Sequence, residues 1–173
     1  MPGSGKSTVV SALKNRGFEA LNLGDGVRAE AKRRNLEPSG DNLGKLMLEL
    51  RKKNGPGAIA ALLTEPIKNS QSKVIIVDGI RSTAEIEVLK NAGSVKLLSI
   101  EATADTRYKF LSSRGRSDDP TTKEKFEERD NRELGVGIGE SIAIADETIS
   151  NSNITLNELT ELAYKIIEKW TDT

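Results

Sequence analysis

The apolar positions change period along the chain, and the changes mark out its elements. After Ser7, the residues Val9, Val10 and Leu13 fall at helical spacing as far as Gly17, and an extended run from Phe18 to Leu23 follows. A helical tract from about Val27 to Arg34 ends before the break Pro38-Ser39-Gly40. Leu43, Leu46, Met47 and Leu50 then mark a second helix, and beyond Gly55-Pro56-Gly57 a third helix carries Ile59, Leu62 and Leu63.

Lys73-Val74-Ile75-Ile76-Val77-Asp78 is a continuous β-branched run, the pattern of a parallel strand covered on both faces. Helix 83–92, strand 95–101 and helix 104–113 continue the alternation, and after a charged stretch a strand near Glu147 to Ser150 leads to a closing helix. That helix sets Leu156, Leu159, Leu162, Ala163, Ile166, Ile167 and Trp170 on one stripe. Thr155 is its expected cap, with Glu158 completing a capping box. Strands alternating with helices predict a doubly wound α/β domain with a parallel sheet, here one domain over residues 1–173 with inserted segments.

Composition narrows the chemistry. The chain has 173 residues, 36% of them apolar, with 26 basic and 26 acidic side chains and therefore no net charge. No global field draws it to nucleic acid or an anionic membrane, so direct nucleic-acid binding is disfavoured. Lys32-Arg33-Arg34 and Arg51-Lys52-Lys53 lack interleaved aromatics and read as solvated faces. Apolar runs reach no further than Ala58 to Leu63, against the ~18–20 residues that span a bilayer. The expectation is a soluble, cytoplasmic protein without a membrane partner. With no histidine and no cysteine, catalysis has to use carboxylates, Lys, Arg, hydroxyls, backbone amides and bound metal.

Met1-Pro2-Gly3-Ser4-Gly5-Lys6-Ser7-Thr8 supplies seven of the eight positions of the phosphate-loop pattern G-x-x-x-x-G-K-[S/T]. Glycines let backbone N–H groups turn inward around phosphate. Lys6 reaches the β and γ oxygens, the Ser7 hydroxyl ligates Mg²⁺, and the positive end of the following helix adds to the attraction. A chance Gly-rich turn is the bland alternative, which the helix in the expected place disfavours. The absent glycine falls one position before Met1, and the strand that feeds such a loop would precede it, which would put the true start about eight to ten residues upstream. The expectation is a start further upstream or a truncated form. Loss of that central strand would forfeit roughly four buried apolar side chains at ~1.5–3 kcal/mol each, enough to leave poor folding or a gapped sheet. Asp78 ends the apolar strand where a phosphate-loop enzyme keeps a carboxylate for Mg²⁺, held directly or through water. Its other reading is a helix cap.

Arginines gather beside these motifs, in Gly24-Asp25-Gly26-Val27-Arg28, Asp78-Gly79-Ile80-Arg81, Arg114-Gly115-Arg116-Ser117-Asp118-Asp119 and Arg129-Asp130-Asn131-Arg132. The planar guanidinium fork binds phosphate oxygens in pairs and stays charged. The set resembles the adenylate kinase group of nucleoside monophosphate kinases, most closely the archaeal adenylate-kinase-related family. The matching segments are the phosphate loop, Asp78 to Ser82, Arg116 to Asp119, Gly137 to Glu140, Ala145-Asp146 and Asn151. The resemblance covers nearly the whole chain and implies a three-layer P-loop NTPase fold, a parallel sheet with flap and short lid insertions.

The resemblance further implies that Arg28 and Arg81 hold the acceptor's phosphate and that residues 27–68 form the acceptor flap. Arg114, Arg116 and Arg129 would be lid arginines within residues 114–139, with Arg107 and Arg132 weaker choices, and the loop after Asn151 would meet the donor's base. Two departures from ordinary adenylate kinases stand out: Asp-Gly-x-Arg lacks an extra Phe-Pro spacing, and the lid is very short. Asp119, before Pro120, reads as a helix cap, and Gly135, Gly137 and Gly139 read as a hinge at the lid's end.

The resulting expectation is a Mg²⁺-dependent kinase that moves the γ-phosphoryl group of ATP to a small phosphorylated acceptor such as AMP. Dephospho-coenzyme A is the rival acceptor, for which Asp25 would serve as base. A regulatory or RNA-associated ATPase with vestigial kinase activity is the rival of a different class. Acceptor identity and oligomeric state stay open at the level of sequence.

Overall fold

The structure is a computed structural model and describes residues 1–114 and 119–172. The element order is α1 (Lys6–Asn15), β1 (Glu19–Asn22), α2 (Leu23–Arg33), α3 (Gly40–Asn54), α4 (Ala58–Ala61), α5 (Thr64–Asn69) and β2 (Ile75–Asp78). It continues with α6 (Thr83–Lys90), β3 (Leu98–Glu101), α7 (Ala104–Arg114), α8 (Lys123–Val136), α9 (Ile138–Ala143), β4 (Glu147–Ser150) and α10 (Leu156–Thr171). The fold is thus mixed α/β, mostly helical, with parallel strands. It divides into two compact units, one of Met1–Gly17 with Lys96–Thr173 and the other of Phe18–Val95.

In the Phe18–Val95 unit, β1 and β2 pair in parallel with Glu19 opposite Ile75 and Asn22 opposite Asp78. Leu23, Val27 and Ala31 of α2 pack with Leu46 and Leu50 of α3, Ile59 and Ala60 of α4, and Leu89 of α6. The apolar run that ends at Asp78 is half-buried along β2 rather than covered on both faces; among the described residues the strand ladders with one neighbour, β1. The third helix is also not continuous. Pro66 has no N–H to donate to Leu62 and its ring crowds that carbonyl, so the chain turns at Leu62 and Leu63 and restarts as α5.

The two basic triplets prove to be partly engaged. Glu30 of α2 is 9% exposed and accepts hydrogen bonds from Arg33 (2.7 Å) and Arg34 (2.6 Å), and Arg34 also reaches Glu49 of α3 at 2.8 Å. Those hydrogen bonds hold the Glu30 carboxyl down at about 2, from an ordinary value of 4.5. A depressed carboxylate adds stability above its unfolded value that is lost as pH falls through the folded one. Wild type should therefore lose about 1–2 kcal/mol, discounted for the exposed Arg33 partner, as pH drops from 4.5 toward about 2. In urea melts across that range, Glu30→Gln should lack this part of the acid limb.

In the other unit, β3 and β4 pair in parallel with Leu98 opposite Glu147. Val9 and Leu13 of α1 and Leu159, Ala163 and Ile167 of α10 supply much of its core. At the rim of that packing Arg16 pairs with Glu161, and its guanidinium lies 4.0 Å from the Tyr164 ring centre. α10 begins with the expected capping box: Thr155 accepts from the Glu158 N–H at 3.2 Å, and Glu158 accepts from the Thr155 N–H at 2.7 Å. No helix among the described residues is long and apolar enough to cross a membrane.

Candidate functional site

The segment Met1 to Gly5 folds as a tight turn that runs directly into α1. Gly3 and Gly5 adopt φ of +80° and +103°, a left-handed conformation that side chains resist. Space forbids a side chain as well. A Cβ at Gly3 would lie 2.8 Å from the Arg107 carbonyl oxygen and from Leu111 Cγ, and one at Gly5 would lie 2.6 Å from Asn151 Nδ2. Ser4 is fully buried. Gly5 caps α1 with its carbonyl, which accepts the N–H groups of Thr8 (3.1 Å) and Val9 (3.2 Å). The first N–H groups of an α-helix have no intrahelical acceptor, and together with the helix dipole they favour an anion there. Lys6 folds back over the turn, donating from Nζ to the Met1 carbonyl at 2.7 Å and to Ser4 Oγ at 3.4 Å. Ser7 is exposed on the first helical turn, and Thr8 and Pro2 are half-buried beside it.

Two side chains outside the motif hold this turn in shape. Asn151, just past β4 and 2% exposed, donates from Nδ2 to the Ser4 carbonyl at 3.0 Å. Its own N–H donates to the Glu101 carbonyl at 2.7 Å, so the end of the β3–β4 pair is tied to the loop. Arg107 of α7, 6% exposed, forks onto Asp130 of α8, with one bond of 2.8 Å, donates to the Pro2 carbonyl at 3.2 Å, and lies 4.9 Å from the Phe126 ring centre. It joins α7, α8 and the loop, a different employment from that of a lid arginine.

Asp119 is not the cap of α8. Thr122 takes that place, its Oγ1 accepting the Lys125 N–H at 3.3 Å. The Asp119 carboxylate instead engages Arg114, with Nε at 3.1 Å, and Arg129, at 3.7 Å. One buried acid therefore gathers two of the three expected lid arginines; the third, Arg116, lies outside the described residues, as do Ser117 and Asp118. Gly137, at φ +108°, separates α8 from α9 where a hinge was expected.

In the Phe18–Val95 unit, Asn22 caps α2 by accepting the Gly24 N–H at 2.7 Å and donates from Nδ2 to Asp78 Oδ2 at 3.1 Å. The helix after Asp78 is capped by Ser82, whose Oγ accepts the Glu85 N–H at 3.4 Å, so Asp78 is not the cap. Asp25 and Arg28 face each other at 2.5 Å on an exposed turn of α2. The Arg81 N–H donates to Glu85 Oε2 at 2.8 Å, and Glu85, 1% exposed, also accepts from Arg51 of α3 at 3.3 Å.

Sequence reasoning passed over Asn22, Glu85 and the pairing of Asp130, and read Arg51 as part of a solvated face. The spacing Ser82-x-x-Glu85 is a capping-box pattern that signals Glu85, whereas Arg51 carries no local signal for its partner. Among the described residues, no group of three or more acidic side chains is arranged to hold a metal by itself.

Comparison with known proteins places the chain. A family model described as an AAA domain matches residues 1–127, a span that includes the turn, Asp78 and Arg81. A UPF0200 protein of Methanothrix thermoacetophila is 42% identical over 173 residues, 98% of this chain and 93% of that one. The chain belongs to the UPF0200 family. Another UPF0200 protein, from Pyrococcus abyssi, is 40% identical over 88% of this chain and 84% of its own, and one from Hyperthermus butylicus is 37% identical over 99% and 91%. The crystal structure of TT1252 from Thermus thermophilus superposes with a TM-score of 0.69 over 96% of this chain and 93% of that one. At 16% identity that likeness shows the shared fold alone. This UPF0200 chain is thus a P-loop kinase-like domain with a nucleotide-binding fold.

Proposed function

We propose that this chain is a nucleotide phosphotransferase that moves the γ-phosphoryl group of ATP to a nucleoside monophosphate such as AMP. The observation that carries this reading is the glycine turn at the head of α1, shaped by Asn151 and closed by Lys6, which suits a chain of phosphates. Backbone amides and Lys6 would bind the donor's β and γ oxygens. Ser7 and Asp78 would hold Mg²⁺, which would supply neutralisation of the phosphate charge.

Arg28 and Arg81 would grip the acceptor's phosphate within a flap of residues 27–68. Arg114, Arg116 and Arg129 would draw charge from the transferring group within a lid of residues 114–139. An oxygen of the acceptor phosphate attacks the γ-phosphorus as its bond to the β–γ bridging oxygen breaks, and ADP leaves. Because the attacking oxygen is already anionic, no base is required, and positioning with charge neutralisation carries the catalysis. A ribose hydroxyl, as in dephospho-coenzyme A, would need a base. Asp25, the candidate for that base, is paired with Arg28 on an exposed turn of α2.

A screen of nucleoside monophosphates and dephospho-coenzyme A, read by ADP release with ATP and Mg²⁺, tests this. ADP that forms only with a monophosphate is the expected result. ADP release independent of any acceptor would overturn the kinase reading in favour of an ATPase.

A further inference from the structure

Resting on the acceptor role of Arg81, we propose that Glu85 is a positioning residue that sets Arg81 for an anionic acceptor and ties it to helix α3 through Arg51. Glu85 stands three residues after the cap Ser82, and in an ordinary capping box its carboxylate would return to the cap's own N–H. Here Oε2 reaches one residue further and takes the Arg81 N–H at 2.8 Å. This bond fixes the backbone at the end of Asp78-Gly79-Ile80-Arg81, from which the Arg81 side chain departs. The other oxygen takes Arg51, which is 21% exposed and sits on the last turn of α3.

A carboxylate left almost without solvent needs its charge matched and its lone pairs filled. One cation from α3 and one amide from the Arg81 loop serve that need here, one at each oxygen. A shift of α3 therefore changes what Glu85 can offer Arg81, within a single unit and along bonds already formed. α3 lies within the proposed acceptor flap, so Glu85 would make acceptor grip depend on flap position while leaving the donor's loop untouched.

Glu85→Gln keeps an oxygen for the Arg81 N–H and removes the charge that holds Arg51; Arg51→Met removes the partner and keeps the carboxylate. With the full chain, each variant should raise KM for AMP by about 5- to 20-fold, and the double variant by no more than the worse single one, as for two groups acting as one unit. The KM for ATP and kcat should stay within about twofold, and Arg51→Lys should recover most of the loss. A lowered kcat or melting temperature with KM for AMP unchanged would show packing alone and overturn the proposal; if Glu85→Gln fails to fold, Arg51→Met decides.

Should wild type transfer nothing to AMP, the kinase reading falls, and a titration with inorganic phosphate followed at the Arg81 backbone amide by NMR decides the positioning role. Weaker phosphate binding in both variants supports it. Affinity equal to wild type overturns it.

Discussion

Lys6→Ala should reduce phosphoryl transfer by about 10²–10³-fold in kcat, the usual loss when one preorganised charge facing the reacting group is removed. Its ammonium already hangs over the glycine turn, donating to the Met1 carbonyl and the Ser4 hydroxyl. A triphosphate offers better acceptors along the same path, so little reorganisation is needed when it binds. The side chain is half-buried at the mouth of α1 and is not part of the core, so the melting temperature should move by no more than about 2–3 °C, as for a surface change. Single-turnover transfer from labelled ATP is the measurement, and near-normal turnover in the variant would contradict the assignment of the loop.

Gly3→Ala should damage both stability and nucleotide binding. At φ +80° an L side chain costs about 1–2 kcal/mol. The new Cβ must also displace a backbone carbonyl of α7 from 2.8 Å, which no rotamer change can relieve. A total near 2–4 kcal/mol follows, with ATP affinity down by at least about tenfold because the turn can no longer keep its shape. Gly44→Ala is the matched control: it lies inside α3 with nothing within 4 Å of the added carbon, and a helical glycine replaced by alanine should gain about 0.5–1 kcal/mol. Urea melts and nucleotide titration on the pair separate the loop's requirement for glycine from a general response to the substitution.

Much of the architecture was legible because it rests on local rules. The closing helix, its Thr155–Glu158 box and the strand at Glu147 to Ser150 follow from spacing alone, and the glycine turn before α1 follows from its own short run of residues. α2 begins four residues before the expected Val27 because Asn22 supplies its cap through a side chain that also touches Asp78. The bond between Arg51 and Glu85 joins residues 34 apart, and that between Asn151 and Ser4 joins residues 147 apart. No period or motif encodes such pairs; they exist only once the helices have packed. Arg107 shows the same limit. The resemblance made it a weaker lid candidate, and its partners Asp130 and Phe126 carry no signal in the local sequence.

Asn151 carries a consequence for chemical ageing. It precedes Ser152, and asparagine is among the thermally labile residues. Hydrolysis of its amide would exchange the donor facing the Ser4 carbonyl for an acceptor and set a negative charge against the proposed phosphate turn. On the proposed reading, one neutral nitrogen thus separates a loop that could take a phosphate from one that would repel it. Its burial beneath Gly5 keeps that nitrogen out of water.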